Sequence, residues 1–329
     1  MNIFDLILWP FKWIVSVVLW LFHTLFTSLG MDPASGLTWV LCIIFLTLVM
    51  RTLTIPLFVK QIKAMRGMTA MQGDMAKLQE KYKGKKDQLS RQAMAQEQME
   101  MYRKHGTNPF ASCLPILAQM PIFFGLYQVL MGVPTAAQSN ESVLMLPADL
   151  VHQFNDSQIF GAQLFATMLH PGAGDATATI VQAVIMIVLM SATQFYIQKQ
   201  LSVKNMSEAA LNSPMFRQQQ MIMYIFPIIF AVSGINLPLG VMYYWTVSNI
   251  WSLGQQWWVI RNNPTPGSQA ERELNARRAA KGLPPIGKTR EQHEKDLQEA
   301  RERAAAGQRQ QPVGKKRQKQ QRNKQNGKK

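Results

Sequence analysis

Two cysteines are all this chain of 329 residues contains, and both, Cys42 and Cys113, fall inside apolar runs, so neither a disulfide framework nor a cysteine metal site is indicated. The histidines His23, His105, His152, His170 and His293 are scattered, and no HExxH or GxSxG pattern and no glycine-rich phosphate loop occurs. The usual signatures of metal hydrolysis, serine catalysis and nucleotide-driven work are thereby missing. The most informative shortage is of basic residues: no Lys or Arg stands between Lys104 and Lys199, a stretch of 94 positions. The chain nonetheless has 35 Lys+Arg against 19 Asp+Glu and a net charge of +16. Residues 261–329 hold 19 basic and 7 acidic side chains, so 12 of those 16 charges sit in one terminal segment. That segregation excludes a single soluble domain, whose surface needs charge on every face.

What the uncharged stretches contain is hydrocarbon. Five segments have the roughly 17 to 25 apolar residues that cross a bilayer about 30 Å thick: 37–58, 113–132, 180–198, 221–237 and 239–260. Five buried helices of a large soluble core are the other reading, but Arg51 is the only charged residue among them. Orientation follows from basic side chains, which stay on the cytoplasmic side. Residues 59–112 carry eleven Lys/Arg and 199–220 carry three, whereas 133–179 carry none. Alternate connections are therefore cytoplasmic, which places the C-terminus inside and Leu37 outside.

Three regions flank the spans. In 1–36, Ile14, Val17, Val18, Leu21, Phe22, Leu25, Phe26 and Leu29 follow helical spacing, opposite Lys12, Ser16, His23, Thr24 and Thr27. That pattern predicts an amphipathic helix lying in the outer interface, with a sixth span or an uncleaved signal sequence as alternatives. Residues 60–104 predict a cytoplasmic helical hairpin broken at Gly84, with Met68, Met71, Met75, Leu78 and Tyr82 forming one stripe. The stripe either glues the two helices together or offers a polarizable surface to varied apolar partners. Residues 261–329 lack an apolar period and predict a disordered tail with transient helix. Its basic end, with Lys315, Lys316, Arg317 and Lys319, suits anionic lipid or, having hardly any aromatics, phosphates of ribosomal RNA.

The polar residues inside the spans cluster by depth. At about 1.5 Å per residue, Arg51 lies roughly 10 Å from its cytoplasmic end, Gln119 roughly 9 Å, Gln194 roughly 6 Å and Ser252 roughly 12 Å. Asn249 and Thr47 reach deeper. These groups either satisfy one another as packing glue or line a wet groove open to the cytoplasm. An arginine in a span costs roughly 2.5 to 3.5 kcal/mol, and no Asp or Glu in the five helices pairs with this one. A buried cation of that kind calls for water or for an acidic visitor.

The stretches MRTLTIPLFVKQIKAM (50–65), NPFASCLPILAQMPIFFGLYQVLMG (108–132), FYIQKQ (195–200) and LPLGVMYYWTVSNIWSLGQQ (237–256) resemble the YidC family of membrane protein insertases, relatives of the mitochondrial oxidase-assembly and chloroplast Albino insertases. The match runs over about residues 10–260, and the long basic tail resembles that of Gram-positive, including actinobacterial, members without the large periplasmic domain. The resemblance implies an all-α polytopic membrane protein with five core helices around a cytoplasm-open groove, an outer interfacial helix and a cytoplasmic hairpin. It carries the groove arginine onto Arg51, groove polar positions onto Gln119 and Gln194, and the aromatics near the substrate path onto Tyr243 and Trp245. Phe110, Ala111 and Ser112 depart from the family's usual Leu-Gly-Gly.

The expectation is then a non-enzymatic insertase without cofactors in the bacterial plasma membrane, whose partners are nascent membrane protein clients, the Sec translocon, ribosomes and anionic lipids. Transfer of apolar client surface, worth roughly 25 cal/mol per Å², can drive insertion without nucleotide hydrolysis. A small-solute transporter or channel is the alternative; it ordinarily shows internal repeats around a midplane site, and none is detectable.

Overall fold

The computed structural model describes residues 3–85, 87–106, 114–200, 204–206, 221, 224–225, 228–229 and 231–307. Its elements are helices α1 (Ile3–Ser28), α2 (Gly36–Leu53), α3 (Ile55–Ala70), α4 (Gln72–Lys81), α5 (Gln88–Lys104), α6 (Leu114–Ser139) and α7 (Ala148–Asp156). A two-stranded antiparallel ribbon, β1 (Gln158–Ile159) and β2 (Ala162–Gln163), precedes α8 (Ala176–Lys199), α9 (Leu239–Asn262), α10 (Gln269–Ala279) and α11 (Arg290–Gly307). Among the described residues, four helices are long and apolar enough to cross a membrane: α1, α2, α6 over Gln119–Ser139, and α8. α9 has the length, 24 residues, but carries Ser248, Asn249, Ser252, Gln255 and Gln256. Of the expected span 221–237, residues 222, 223, 226, 227 and 230 lie outside the described residues.

Helix ends follow capping chemistry. Ser35 accepts the Leu37 N–H at 3.3 Å to start α2, and one Asp175 oxygen accepts the Thr177 and Ala178 N–H groups at 2.8 and 3.3 Å to start α8. The expected first span, 37–58, is corrected at its end: α2 stops at Leu53, and α3 begins at Ile55. Pro56 causes the break, since it lacks the N–H that would donate to the Thr52 carbonyl and its ring crowds that carbonyl. Arg51 thus sits in the last turn of α2. α6, by contrast, continues seven residues past the expected end at Gly132.

The core lies where α2, α6 and α9 meet α7. Trp39, Ile43 and Leu46 of α2, Leu126 and Leu130 of α6 and Val241 and Tyr244 of α9 are buried together. Phe154 of α7 stands edge-on to Trp39 at 4.9 Å. α8 packs along α9 through Ala183, Met190 and Met242. Within lipid, such packing gains dispersion contacts, because lipid tails are as apolar as the side chains.

α1 crosses this bundle instead of running alongside it. Phe4 meets Phe124, about 15 Å of rise from the start of α6, and Phe26 meets Phe45, about 12 Å from the end of α2. Those two α1 residues are about 33 Å apart along their own helix, yet they touch the bundle at similar depth. Gly125 makes the crossing close, because a Cβ there would stand 3.2 Å from the Phe11 carbonyl carbon. The polar side of α1 turns inward: Ser16 and His23 are buried, while Leu21, Leu25 and Leu29 are exposed. Ser16 Oγ accepts the Met145 N–H at 3.3 Å, and His23 stacks on Trp39 with Nε2 3.0 Å from the Pro33 carbonyl oxygen.

The hairpin is three helices, with the turn at Gly84, whose φ is +82°. Met71, Met75 and Leu78 of the expected stripe are buried against Tyr102 of α5, with Tyr82, Met94 and Met101 around them. Of the two readings of the stripe, the burial of Met71 and Met75 agrees with the one in which it holds the helices together; the Met68 side chain lies outside the described residues. On the rim, Lys81 donates to both Glu97 oxygens at 2.6 and 2.8 Å, and the Tyr82 hydroxyl donates to one of them at 2.7 Å.

The chain divides into two compact units, residues 1–271 and 272–329. The first part of the tail, expected to be disordered with transient helix, contains α10 and α11. Between them Arg278 Nε donates to the Pro284 carbonyl at 2.7 Å, and Asn275 Oδ1 accepts the Ile286 N–H at 2.9 Å. Lys315, Lys316, Arg317 and Lys319 lie outside the described residues.

Candidate functional site

α9 is the spine of the polar constellation, because four of its residues, in two adjacent pairs about a turn apart, present polar groups to three neighbouring helices. Tyr244 and Ser248 face α2 and α6. Arg51 Nε donates to Ser248 Oγ at 2.8 Å, and Nη2 donates to the same oxygen. Gln119 of α6 donates through Nε2 to the Tyr244 hydroxyl one turn away. Ser252 Oγ donates to the Ser248 carbonyl at 2.9 Å. Tyr243 and Asn249 face α8: the Tyr243 hydroxyl donates to Gln182 Oε1 at 3.2 Å, and Asn249 Nδ2 donates to Thr193 Oγ1 at 3.0 Å. Between the two sets, Trp245 stands edge-on to Phe123 at 5.1 Å.

Of the residues singled out in the sequence, Arg51, Gln119, Ser252, Tyr243, Trp245 and Asn249 thus gather along α9. Gln194 does not join them: it lies half-buried on α8, and among the described residues no hydrogen bond links it to Arg51. Ser248, Tyr244, Gln182 and Thr193 were missed. Serine, threonine and tyrosine are ordinary in spans, and depth alone does not say which face of a helix they occupy. One signal was available, since Ser248 stands one turn before Ser252 and level with the end of α2.

The electrostatics turn on what Arg51 lacks. Its partner is a neutral hydroxyl, and among the described residues no carboxylate lies within ion-pair distance of it. A hydrogen bond to a charged group contributes roughly 1.5 to 3 kcal/mol, which offsets the membrane cost of the guanidinium in part and leaves its charge uncancelled. Ser248 binds through one oxygen, so other guanidinium N–H groups stay free for water or for an anionic group.

At the far end the bundle is closed by residues 140–175. The first α9 amides, Leu239 and Gly240, donate to the carbonyls of Ala166 and Leu164 at 2.9 and 2.7 Å. Gly36 lets the ribbon sit directly on α2, since a Cβ there would fall 2.2 Å from the Gln158 carbonyl oxygen. Ser248 lies about 14 Å of rise from Leu239, so the polar groups stand well inside this cap. Among the described residues no cluster of three His, Cys, Asp or Glu could hold a metal ion.

The family model of the 60Kd inner membrane protein matches residues 30–266. A protein of Streptomyces avermitilis named membrane protein insertase YidC is 43% identical over 278 residues, 82% of this chain and 61% of its own length. The chain thus spans less than two thirds of that relative. It spans 95% of the proteins of the same name from Tropheryma whipplei, 40% identical over 318 residues, and Bifidobacterium longum, 35% identical over 323 residues.

Proposed function

The chain belongs to the 60Kd inner membrane protein family, the family of the YidC membrane protein insertases, and from that premise we propose that it inserts and folds integral membrane proteins through a groove open to the cytoplasm. It is a multi-pass protein of the plasma membrane, and the positive-inside pattern puts its C-terminus in the cytoplasm. The observation that carries the groove is Arg51, held on a serine and, among the described residues, without an acidic partner. A short acidic segment of a client enters from the cytoplasm, meets this charge and water, and needs to cross only the capped half of the bilayer. The client's apolar segment then moves along the exposed apolar side chains of α8 into lipid. The driving force is removal of that apolar surface from water, with no nucleotide required.

Three further readings belong to this proposal. α1 lies in the outer interface, as its crossing contacts and exposed leucines favour. The basic tail meets anionic lipid headgroups or ribosomal RNA near the site of synthesis, and the Sec translocon is a working partner for longer clients. A small-solute channel is the competing reading. The experiment is reconstitution of the pure protein in liposomes with short single-span clients whose leading segments are acidic or neutral. Wild type should protect both from protease. Arg51→Ala should lose about tenfold with the acidic clients and little with the neutral ones, if one ion pair of roughly 1.4 kcal/mol is removed. Equal insertion of all clients by Arg51→Ala would sink the attraction idea, and solute flux without client protection would favour the channel.

A further inference from the structure

Phe160, at the tip of the ribbon, goes against two local expectations together. β1 and β2 are joined by Phe160 and Gly161, with φ of +48° and +82°. A two-residue turn of this kind favours Asn-Gly, because a bulky side chain in the left-handed region costs about 1 to 2 kcal/mol. The ring is also 80% exposed, the most exposed large apolar side chain among the described residues. A strained and solvent-facing phenylalanine is a poor choice for a turn in water.

Its position supplies a reason. Gln182 Nε2 donates to the carbonyl oxygens of Ile159 and Phe160 at 2.9 and 3.3 Å. A Cβ on Gly161 would stand 3.5 Å from Ala178 Cβ. The tip therefore rests on α8 between Ala178 and Gln182, about 3 to 9 Å of rise below the N-terminus of that helix. Over the same stretch α8 exposes Ile180, Val181, Val184 and Ile185, an outward face that a membrane-crossing helix presents to acyl chains. A bare carbonyl at that depth costs several kcal/mol, and Gln182 satisfies two of them. The ribbon is thus equipped to stand in hydrocarbon.

We propose that the β1–β2 ribbon is a lipid anchor: Phe160 inserts among the acyl chains of the leaflet on the cap side, continuous with the lipid-facing surface of α8, and pins residues 140–175 to the bilayer. The occupant of the exposed ring is phospholipid, not a protein partner. Site-directed spin labelling in proteoliposomes of neutral phosphatidylcholine tests this, with Cys113→Ser as background and Cys42 left buried in the core. A label at Phe160→Cys should favour oxygen over a water-soluble nickel complex by the ratio found at Val184→Cys on α8, about tenfold above that at Glu141→Cys, an exposed cap residue. A nickel accessibility at position 160 equal to that at 141 would overturn the anchor and leave the ring in water. Phe160→Cys sits at an exposed site, and the ratio at Val184→Cys placed in the same variant reports that the fold is kept.

Discussion

One hydroxyl, that of Ser248, decides how Arg51 behaves. Ser248→Ala removes the acceptor without adding charge, so thermal stability should fall by about 1 to 3 kcal/mol while acidic clients are still inserted. Ser248→Asp supplies the missing counter-charge. It should raise the melting temperature in detergent and cut insertion of acidic clients to the Arg51→Ala level, which the liposome assay reads directly. At the other end, Gly36→Ala places a Cβ 2.2 Å from the Gln158 carbonyl and should destabilise by more than about 2 kcal/mol, measured by thermal unfolding. At this scale the sequence was legible where a residue was out of place: Arg51, Gln119 and Asn249 stand out in apolar runs. Ser248, Tyr244 and Thr193 did not, because their types are unremarkable in a span and only azimuth, fixed by packing, makes them partners. Trp245 and Tyr243 were reached through family resemblance alone.

Helices were legible in position and less so in their ends and faces. Hydropathy located α2, α6 and α8, but the break at Thr54 needed the effect of Pro56 on the Thr52 carbonyl to be weighed against a continuous apolar run. For α1 the spacing predicted a helix with two faces but left open which neighbours each face meets, and the structure buries Ser16 and His23 against the bundle. The hairpin has its own chemistry. Lys81, and then Tyr82, hold the Glu97 carboxyl below its ordinary range, and Glu97 in turn raises Lys81. A depressed carboxylate stabilises the folded form above its unfolded pKa, and that contribution is lost as pH falls through the folded value. Protection factors of the amides in α4 and α5, taken relative to the intrinsic exchange rate at each pH, should therefore fall on acidification through the glutamate range, and in Glu97→Gln they should be low already at neutral pH. Leu78→Ala, emptying a buried site, should loosen the same amides by about 2 to 4 kcal/mol without lowering the melting point of the α2–α6–α9 core.

For the whole molecule, charge and apolar surface are sorted by region, and the sorting was visible from the first count of lysines and arginines. Removing residues 272–329 should leave the melting temperature of the remaining unit unchanged, because each unit is compact by itself. It should also abolish most salt-sensitive binding to anionic vesicles or ribosomes, seen as a flattened dependence of affinity on ionic strength in sedimentation assays. What no count could show is how residues 140–175 fold. Their amides and carbonyls pair across long sequence distances, and Leu164 and Ala166 offer their carbonyls to Leu239 and Gly240. Those acceptors leave the ribosome more than seventy residues before their donors. During synthesis the cap must wait, open, for α9 to arrive, so a nascent chain halted before Leu239 should be cleaved by protease within 140–175 and the finished chain should resist. A chain built this way closes its capped end only after α9 is in place.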